Sequence, residues 1–335
     1  MALRETITIR PFEAGDETAI LAALNRPAPR GAIATPVRDV EEWRWLYERN
    51  PAGARIMLGF DEGGEVLAQC AGLSLRARLE GRPTTFCIAL DGLNVRSERT
   101  GHLRRGLFTA TCEAFREAWA GEGEGRYAFL YGAVSSTNPR LGRAPLSTPF
   151  LREGFAHVLE LPCTPISHAD VAVREVERFD GDAAEVFERV ALDARAVLVR
   201  DASFLNWRYV ERPGKPYRRA LAYAGTRPIG VAVWRAAEYE GRPAAWLCEW
   251  MVPGGEPAGA RALLAWVTEC ARASGLECVV LECSPFARDW SEFQALGFRV
   301  RRARHHWIGA AHSSVHDARF FARHLQISLG DLEFT

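Results

Sequence analysis

Lysine is almost missing from this chain. Lys215 is the single one among 42 basic residues, and every other is arginine, which we read as a mark of genome composition and not of function. Net charge is missing too. Acidic and basic residues both number 42, so no global field draws the chain toward nucleic acid or an anionic membrane. No apolar run is long enough to span a bilayer. The first residues, MALRETITIR, lack the apolar core of a secretory signal and begin at once with strand-like alternation. No CxxC pair occurs among the eight cysteines, most of which sit in apolar patterns where a free thiol acts as a small hydrophobe. A reduced, cytoplasmic setting is therefore expected. What is present is ordinary for a soluble globular protein: 335 residues, 48% apolar and 25% charged, enough for two domains with a sizeable core each.

The chain is organised around residues 84–120. TTFCIALDGLNV, Thr84–Val95, is apolar and β-branched enough for an interior strand. RSERTGHLRRG, Arg96–Gly106, is a polar loop, and LFTATCEAFREAWA, Leu107–Ala120, is a helix with Phe108, Cys112, Phe115 and Trp119 on one face. Gly121 and Gly123 stop it. A loop feeding a helix N-terminus offers unpaired N–H groups and partial positive charge, and Arg99, Arg104 and Arg105 add to both. A phosphate or pyrophosphate suits such a place; a solvated basic crossover is the plain alternative.

Around this unit the order is strand (Glu5–Arg10), helix, helix (Val40–Arg49), strand (Arg55–Phe60), hairpin turn at Asp61–Gly64, strand, turn at Glu80–Pro83 and the central strand. After the helix come a buried strand, Tyr127–Val134, and Leu151–Leu161, where Glu153-Gly154-Phe155 reads as a turn into a final hairpin. Pro162–Ala169 reads as a linker. Then the order repeats. Phe204–Arg212 echoes Trp43–Arg49, and Glu240-Gly241-Arg242-Pro243 copies Glu80-Gly81-Arg82-Pro83 letter for letter. Ala244–Val252 answers the central strand, Pro257–Ser274 the helix, Cys278–Cys283 the strand after it, and Leu296-Gly297-Phe298 the final turn. Two units are expected, residues 1–163 and 170–335.

The strand, loop and helix at 84–120, and the order of elements in both halves, resemble the GNAT acyltransferase superfamily. The resemblance implies an α/β fold made of tandem GNAT units, each a mixed, mostly antiparallel twisted sheet flanked by helices. It also implies acetyl-CoA or another acyl-CoA as co-substrate and an amine acceptor, small or peptidic; no nucleic acid and no membrane are expected from the balanced charge, and no metal, since no carboxylate or Cys completes a ligand set with the histidines. The family's loop pattern, Q/R-x-x-G-x-G/A, falls on Gly101-His102-Leu103-Arg104-Arg105-Gly106, where only Gly106 matches. Cofactor contacts are then expected from Leu93, Asn94 and Val95 at the strand end, from Gly101, His102, Leu103, Arg104, Arg105, Gly106 and Leu107, and from Asn138, which is otherwise a turn residue before Pro139. In the second half Pro253-Gly254-Gly255-Glu256-Pro257 stands at the loop, where Glu256 repels phosphate and Pro257 lacks an N–H, so that copy is expected to be degenerate.

GNAT enzymes deprotonate an ammonium, and the amine then attacks the thioester. Asp91, four residues before Val95, stands where family members place a base; it equally fits a turn residue with a structural hydrogen bond. No Tyr follows the next strand to protonate the departing thiolate. Ser135 is the candidate there, against ordinary strand-end hydrogen bonding. Glu249 is either a relic base or an interface residue. His305, His306, His312 and His316 read as surface or acceptor-site residues, and Arg299, Arg301, Arg302 and Arg304 as a solvated sheet edge. Two rival functions stay open: an aminoacyl-tRNA-dependent transferase with paired GNAT-like domains, and a non-catalytic acyl-CoA or ligand-binding protein.

Overall fold

The structure, a computed structural model, describes residues 7–26, 37–95, 103–135, 148–164 and 171–331, with the backbone alone for 103–105. The first half runs β1 (Thr8–Pro11), α1 (Glu17–Leu24), α2 (Val40–Tyr47), β2 (Ala54–Phe60), β3 (Val66–Leu79), β4 (Arg82–Asn94), α3 (Leu103–Trp119), β5 (Phe129–Ser135) and β6 (Phe150–Glu160). The second runs β7 (Ala172–Glu175), α4 (Gly181–Ala191), β8 (Ala196–Leu198), α5 (Ala202–Tyr209), β9 (Arg218–Ala224), β10 (Arg227–Tyr239), β11 (Arg242–Met251), α6 (Pro257–Ala273), β12 (Cys278–Glu282), α7 (Asp289–Ala295), β13 (Arg299–Ala311) and α8 (Ala318–His324). A single 3-10 turn, Leu329–Asp331, follows.

The thirteen strands among the described residues form one mixed, mostly antiparallel sheet in the order β1-β2-β3-β4-β5-β13-β6-β12-β11-β10-β9-β7, with β8 paired to β3. Only β4–β5 and β11–β12 are parallel among the described pairs. The centre of the sheet is an exchange. β6, the last strand of the first half, pairs with β12 of the second, and β13, the last strand of the second, lies between β5 and β6. Arg152 on β6 secures this centre: its guanidinium donates to Ser284 Oγ at 2.8 Å and to the carbonyls of Ala322 and Leu325 at 2.8 and 3.1 Å.

The repeat seen in the sequence is physical. Glu80 and Gly81 both take positive φ, +50° and +76°, and Glu240 and Gly241 do the same at +53° and +81°. Two such residues in succession make the tight hairpin turn that matches strand twist. Helices α2 and α5 start alike, with Asp39 accepting from the Glu42 N–H and Asp201 from the Phe204 N–H. Trp45 and Trp207 occupy matching positions and stack at 5.1 Å. Each indole N–H donates to the other's carbonyl, at 2.7 and 2.8 Å, so a pseudo-twofold relation passes between them. One core cluster runs across the two halves, from Ile20 and Trp43 through Phe187 and Trp207 to Phe321.

Two expectations change. The helix expected to start at Leu107 starts at Leu103, because Leu and Arg propagate a helix well and Gly106 is tolerated within its first turn. Gly154 does not turn a hairpin; it lies inside β6, where a Cβ would come within 2.6 Å of His305 Nε2 and 2.9 Å of the His305 carbonyl. The Arg299–Arg304 segment is solvated and pairs with β6 on one side only, because β5 joins β13 from His305 onward.

Candidate active site

β4 and β5 pair over three positions only, Phe86 with Phe129, Cys87 with Leu130 and Ile88 with Tyr131. Both strands continue beyond that point, β4 to Asn94 and β5 to Ser135, without pairing to each other. A bulge drives them apart. Gln69 opposes Leu93 and Ala71 opposes Leu90, so Asp91 and Gly92 together face Cys70. Asp91 sits at φ +46°, and its carbonyl accepts from Gln69 Nε2 at 2.9 Å. The wedge opens into a cavity of about 1040 Å³. Ala89, Leu90, Asn94, Gly132 and Ser135 line its first-half wall, and Phe108 of α3 reaches it. Arg235, Glu238 and Tyr239 of β10, with Arg302 and His305 of β13, line the facing side.

The Asp91 carboxylate is fully engaged. Arg38 Nε and Nη2 donate to its two oxygens at 2.9 and 3.0 Å, and the Tyr47 hydroxyl donates at 2.8 Å. Its side chain is 4% exposed, that of Arg38 1%. Burial pushes the Tyr47 phenol well above its usual range, so it stays a donor. The second half repeats the arrangement with the same spacing, from Arg200 just before α5 to Tyr209 at its end. Arg200 Nε lies 2.9 Å from Glu249, and Tyr209 donates to Glu249 at 3.0 Å. Burial pushes the Glu249 carboxyl up, against the pull of Arg200. Arg38 and Tyr47 carried no motif to single them out, although their echo in Arg200 and Tyr209 is legible once the repeat is aligned.

Of the expected cofactor contacts, Leu93 and Val95 turn toward apolar clusters and Asn94 toward the cavity. The Val95 N–H donates to the Leu67 carbonyl at 2.8 Å. Gly101, His102 and Asn138 lie outside the described residues. Leu103, Arg104, Arg105 and Gly106 form the first turn of α3, so their N–H groups are the ones a helix leaves without internal partners. Leu107 is buried against Leu67 and Ala68. The matching place in the second half is taken. Glu256 precedes α6, with Pro257 in its first turn, and its carboxylate is bound by Arg189 and, at 2.6 Å, by Arg227. β11 and β12 likewise separate after Trp246 and Val280; the 3-10 turn packs on β11 there, and a smaller cavity of about 430 Å³ remains, lined by Leu247, Glu249 and Met251 of β11 and by Leu281 and Glu282 of β12. A Cβ at Gly330 would lie 2.1 Å from Tyr209 Oη and 2.7 Å from the Cys248 carbonyl, and Asp331 is bound by Arg200 at 2.7 Å.

Ser135, at the end of β5, is the cross-strand partner of His305. In an antiparallel pair such residues point to the same face. His305 Nε2 lies 3.2 Å from a carboxylate oxygen of Glu282, the last residue of β12. Burial pushes the Glu282 carboxyl up, and the histidine pulls it down. Glu282 was not among the sequence candidates. Its one signal was an acid closing the apolar run Cys278–Leu281.

No protein-family model matches the chain, and no curated protein matches it by sequence. Solved structures do match in shape. A probable N-acyltransferase of unknown function from Enterococcus faecalis V583 has a TM-score of 0.64 at 11% identity, covering 92% of this chain and 72% of that one. A tandem GNAT protein from the clavulanic acid biosynthesis pathway has a TM-score of 0.54 at 16% identity, covering 92% and 99%. Saccharomyces cerevisiae N-myristoyltransferase with bound myristoyl-CoA has a TM-score of 0.55 at 9% identity, covering 92% and 80%. Repeated order of elements, two short parallel pairs that open into wedges, and these likenesses lead to one conclusion: the chain has the tandem, two-domain GNAT fold.

Proposed function

We propose that the protein is an acyl-CoA-dependent N-acyltransferase, in the simplest case transferring acetyl from acetyl-CoA to an amine, with its working site in the first half. The observation that carries this reading is the wedge between β4 and β5. Beyond Ile88 and Tyr131 the parted strands do not pair with each other, and buried backbone groups require partners. The amide-bearing arm of an acyl-CoA can lie between the strands and supply them, much as an added strand does. The diphosphate then meets the N–H groups at the start of α3, which lack partners inside the helix, with the charge of Arg104 and Arg105 nearby in sequence. The thioester carbonyl comes to rest near the bulge at Asp91–Gly92. In this reading Asp91, held by Arg38 and Tyr47, fixes the bulge, and the amine enters through the large cavity from the side of the second half. That half, with Glu256 and the 3-10 turn in the corresponding places, shapes the acceptor site and binds no second acyl-CoA.

Calorimetric titration with coenzyme A tests this. One site per chain is expected, weakened far more by Arg104→Glu than by Arg261→Glu, since a reversed charge beside the diphosphate replaces attraction with repulsion. Acetyl-CoA with a panel of primary amines should release coenzyme A. Two equivalent sites, or equal effects of the two substitutions, would overturn the assignment of the site; binding without turnover would leave a ligand-binding protein.

A further inference from the structure

A primary amine is protonated near neutral pH and cannot attack until a group takes its proton. Asp91 is ill suited to that task, because a guanidinium and a phenol already hold it. Three buried carboxylates lie on arginines: Asp91 on Arg38, and both Glu249 and Asp331 on Arg200. Glu282 is different. Its side chain is 8% exposed, and its hydrogen-bond partner among the described residues is His305 Nε2. A buried acid set on an imidazole orients a group that can exchange protons at neutral pH, which an acid set on a guanidinium cannot do.

We propose that His305 is the base that deprotonates the amine acceptor, with Glu282 as its positioning residue, so that the second half completes the active centre of the first. This rests on the acyl-CoA reading above. Three features of the fold build the pair. β13 carries His305 across the sheet to stand opposite Ser135. Between Arg302 and His306, β13 holds two residues more than the facing stretch of β6, a bulge that includes His305. Gly154 on β6 leaves the ring its room. His305 and Glu282 both line the large cavity, and the histidine side chain is 18% exposed, open to an entering molecule. Other charged groups lining it are Arg302 and Arg304 on the same strand, Arg235, Glu238 and Glu240 from the β10–β11 hairpin, and Asp91, Arg212, Lys215 and Asp331; Arg152 of β6 adds a pull that favours the charged form of Glu282. Glu153 on β6 faces Arg302 at 3.9 Å. Glu282 is the one in hydrogen-bond contact with the ring.

The chemistry balances. With Nε2–H donated to Glu282, Nδ1 carries the lone pair. It takes one proton from the ammonium, and the neutral amine attacks the thioester carbonyl carbon. The C–N bond forms, the C–S bond breaks, and the sulfur leaves with the bonding pair. The amide nitrogen gives its surplus proton to that thiolate, and the imidazolium returns its proton to water. Amide, free thiol and one proton result.

The test uses the full chain, acetyl-CoA and the best amine of the panel, or slow thioester hydrolysis by water, which draws on the same base, if no amine reacts. His305→Gln should bind coenzyme A as the wild type does and lose about a hundred- to ten-thousand-fold in rate at pH 7. The loss should shrink as pH approaches the amine's own pKa. Glu282→Gln, which keeps the shape of the side chain, should move the acid limb of the rate profile to lower pH, an effect that a merely structural role would not produce. Wild-type rates in folded His305→Gln, or an unmoved profile in Glu282→Gln, overturn the proposal and leave the acyl-CoA reading intact. Absence of coenzyme A binding by the wild type sinks that reading instead.

Discussion

Replacing Asp91 by Asn keeps the shape of the side chain and removes its charge. In the native protein Arg38 donates to both carboxylate oxygens and Tyr47 to one, in a site where the side chains are 1% and 4% exposed. Breaking a buried ion pair from one side costs about 3–5 kcal/mol, because the abandoned charge stays buried. Glu42 stays 3.3 Å from Arg38 Nη1 and is 21% exposed, so the lower end, about 3 kcal/mol, is expected. Spread over the unfolding entropy of a chain this long, that lowers the melting temperature by about 4 °C. Glu249→Gln is the internal comparison. Arg200 keeps Asp331 at 2.7 Å, and burial already disfavours the charge on Glu249, so about 1 kcal/mol is expected there. Calorimetry and urea unfolding of both variants give the order, with Asp91→Asn the more damaging. Coenzyme A affinity and rate per folded molecule should change little. An Asp91→Asn protein that melts like the wild type yet turns over about a hundredfold more slowly or worse would refute this reasoning and make Asp91 the base.

Two further outcomes are expected. Trp45→Phe and Trp207→Phe should each cost about 1–3 kcal/mol, since each leaves a buried carbonyl without its donor; the double variant should cost about 1 kcal/mol less than the sum, because the stacked contact is counted in both singles, and strict additivity in urea unfolding would show that the two rings are not coupled. Burial holds the His157 imidazole down to about 4, so between that pH and the unfolded value near 6.5 the unfolded chain binds a proton that the folded chain refuses. Stability is therefore present above about pH 6.5 and falls on acidification toward pH 4, by about 3 kcal/mol from this residue. His157→Leu should flatten the difference in unfolding free energy between pH 7 and pH 4.5 by most of that amount, and an unchanged difference would exclude His157 as its source.

Much of the fold is written locally. The faces of α3 and α6, the two Glu-Gly-Arg-Pro turns and the echo between α2 and α5 depend on residues within a few positions of each other, so periodicity and turn chemistry suffice to find them. The repeat itself is legible for the same reason. The sheet order is not. Alternation along a strand says which face is buried, never which strand lies beside it. Hence Gly154 reads as a turn from its neighbours, while its real cause is a histidine ring from residue 305. The same limit governs the site. The sequence alone marked the wedge strand, the helix after it and Asp91. Only tertiary structure decided that Arg38 and Tyr47 occupy Asp91, that Asp331 of the 3-10 turn is bound by Arg200 beside the second wedge, and that Glu282 meets His305 beside Ser135. Each of those contacts joins residues on different elements, and the exchange of β6 and β13 at the centre of the sheet is what brings β12 and β13 to the first half's cavity.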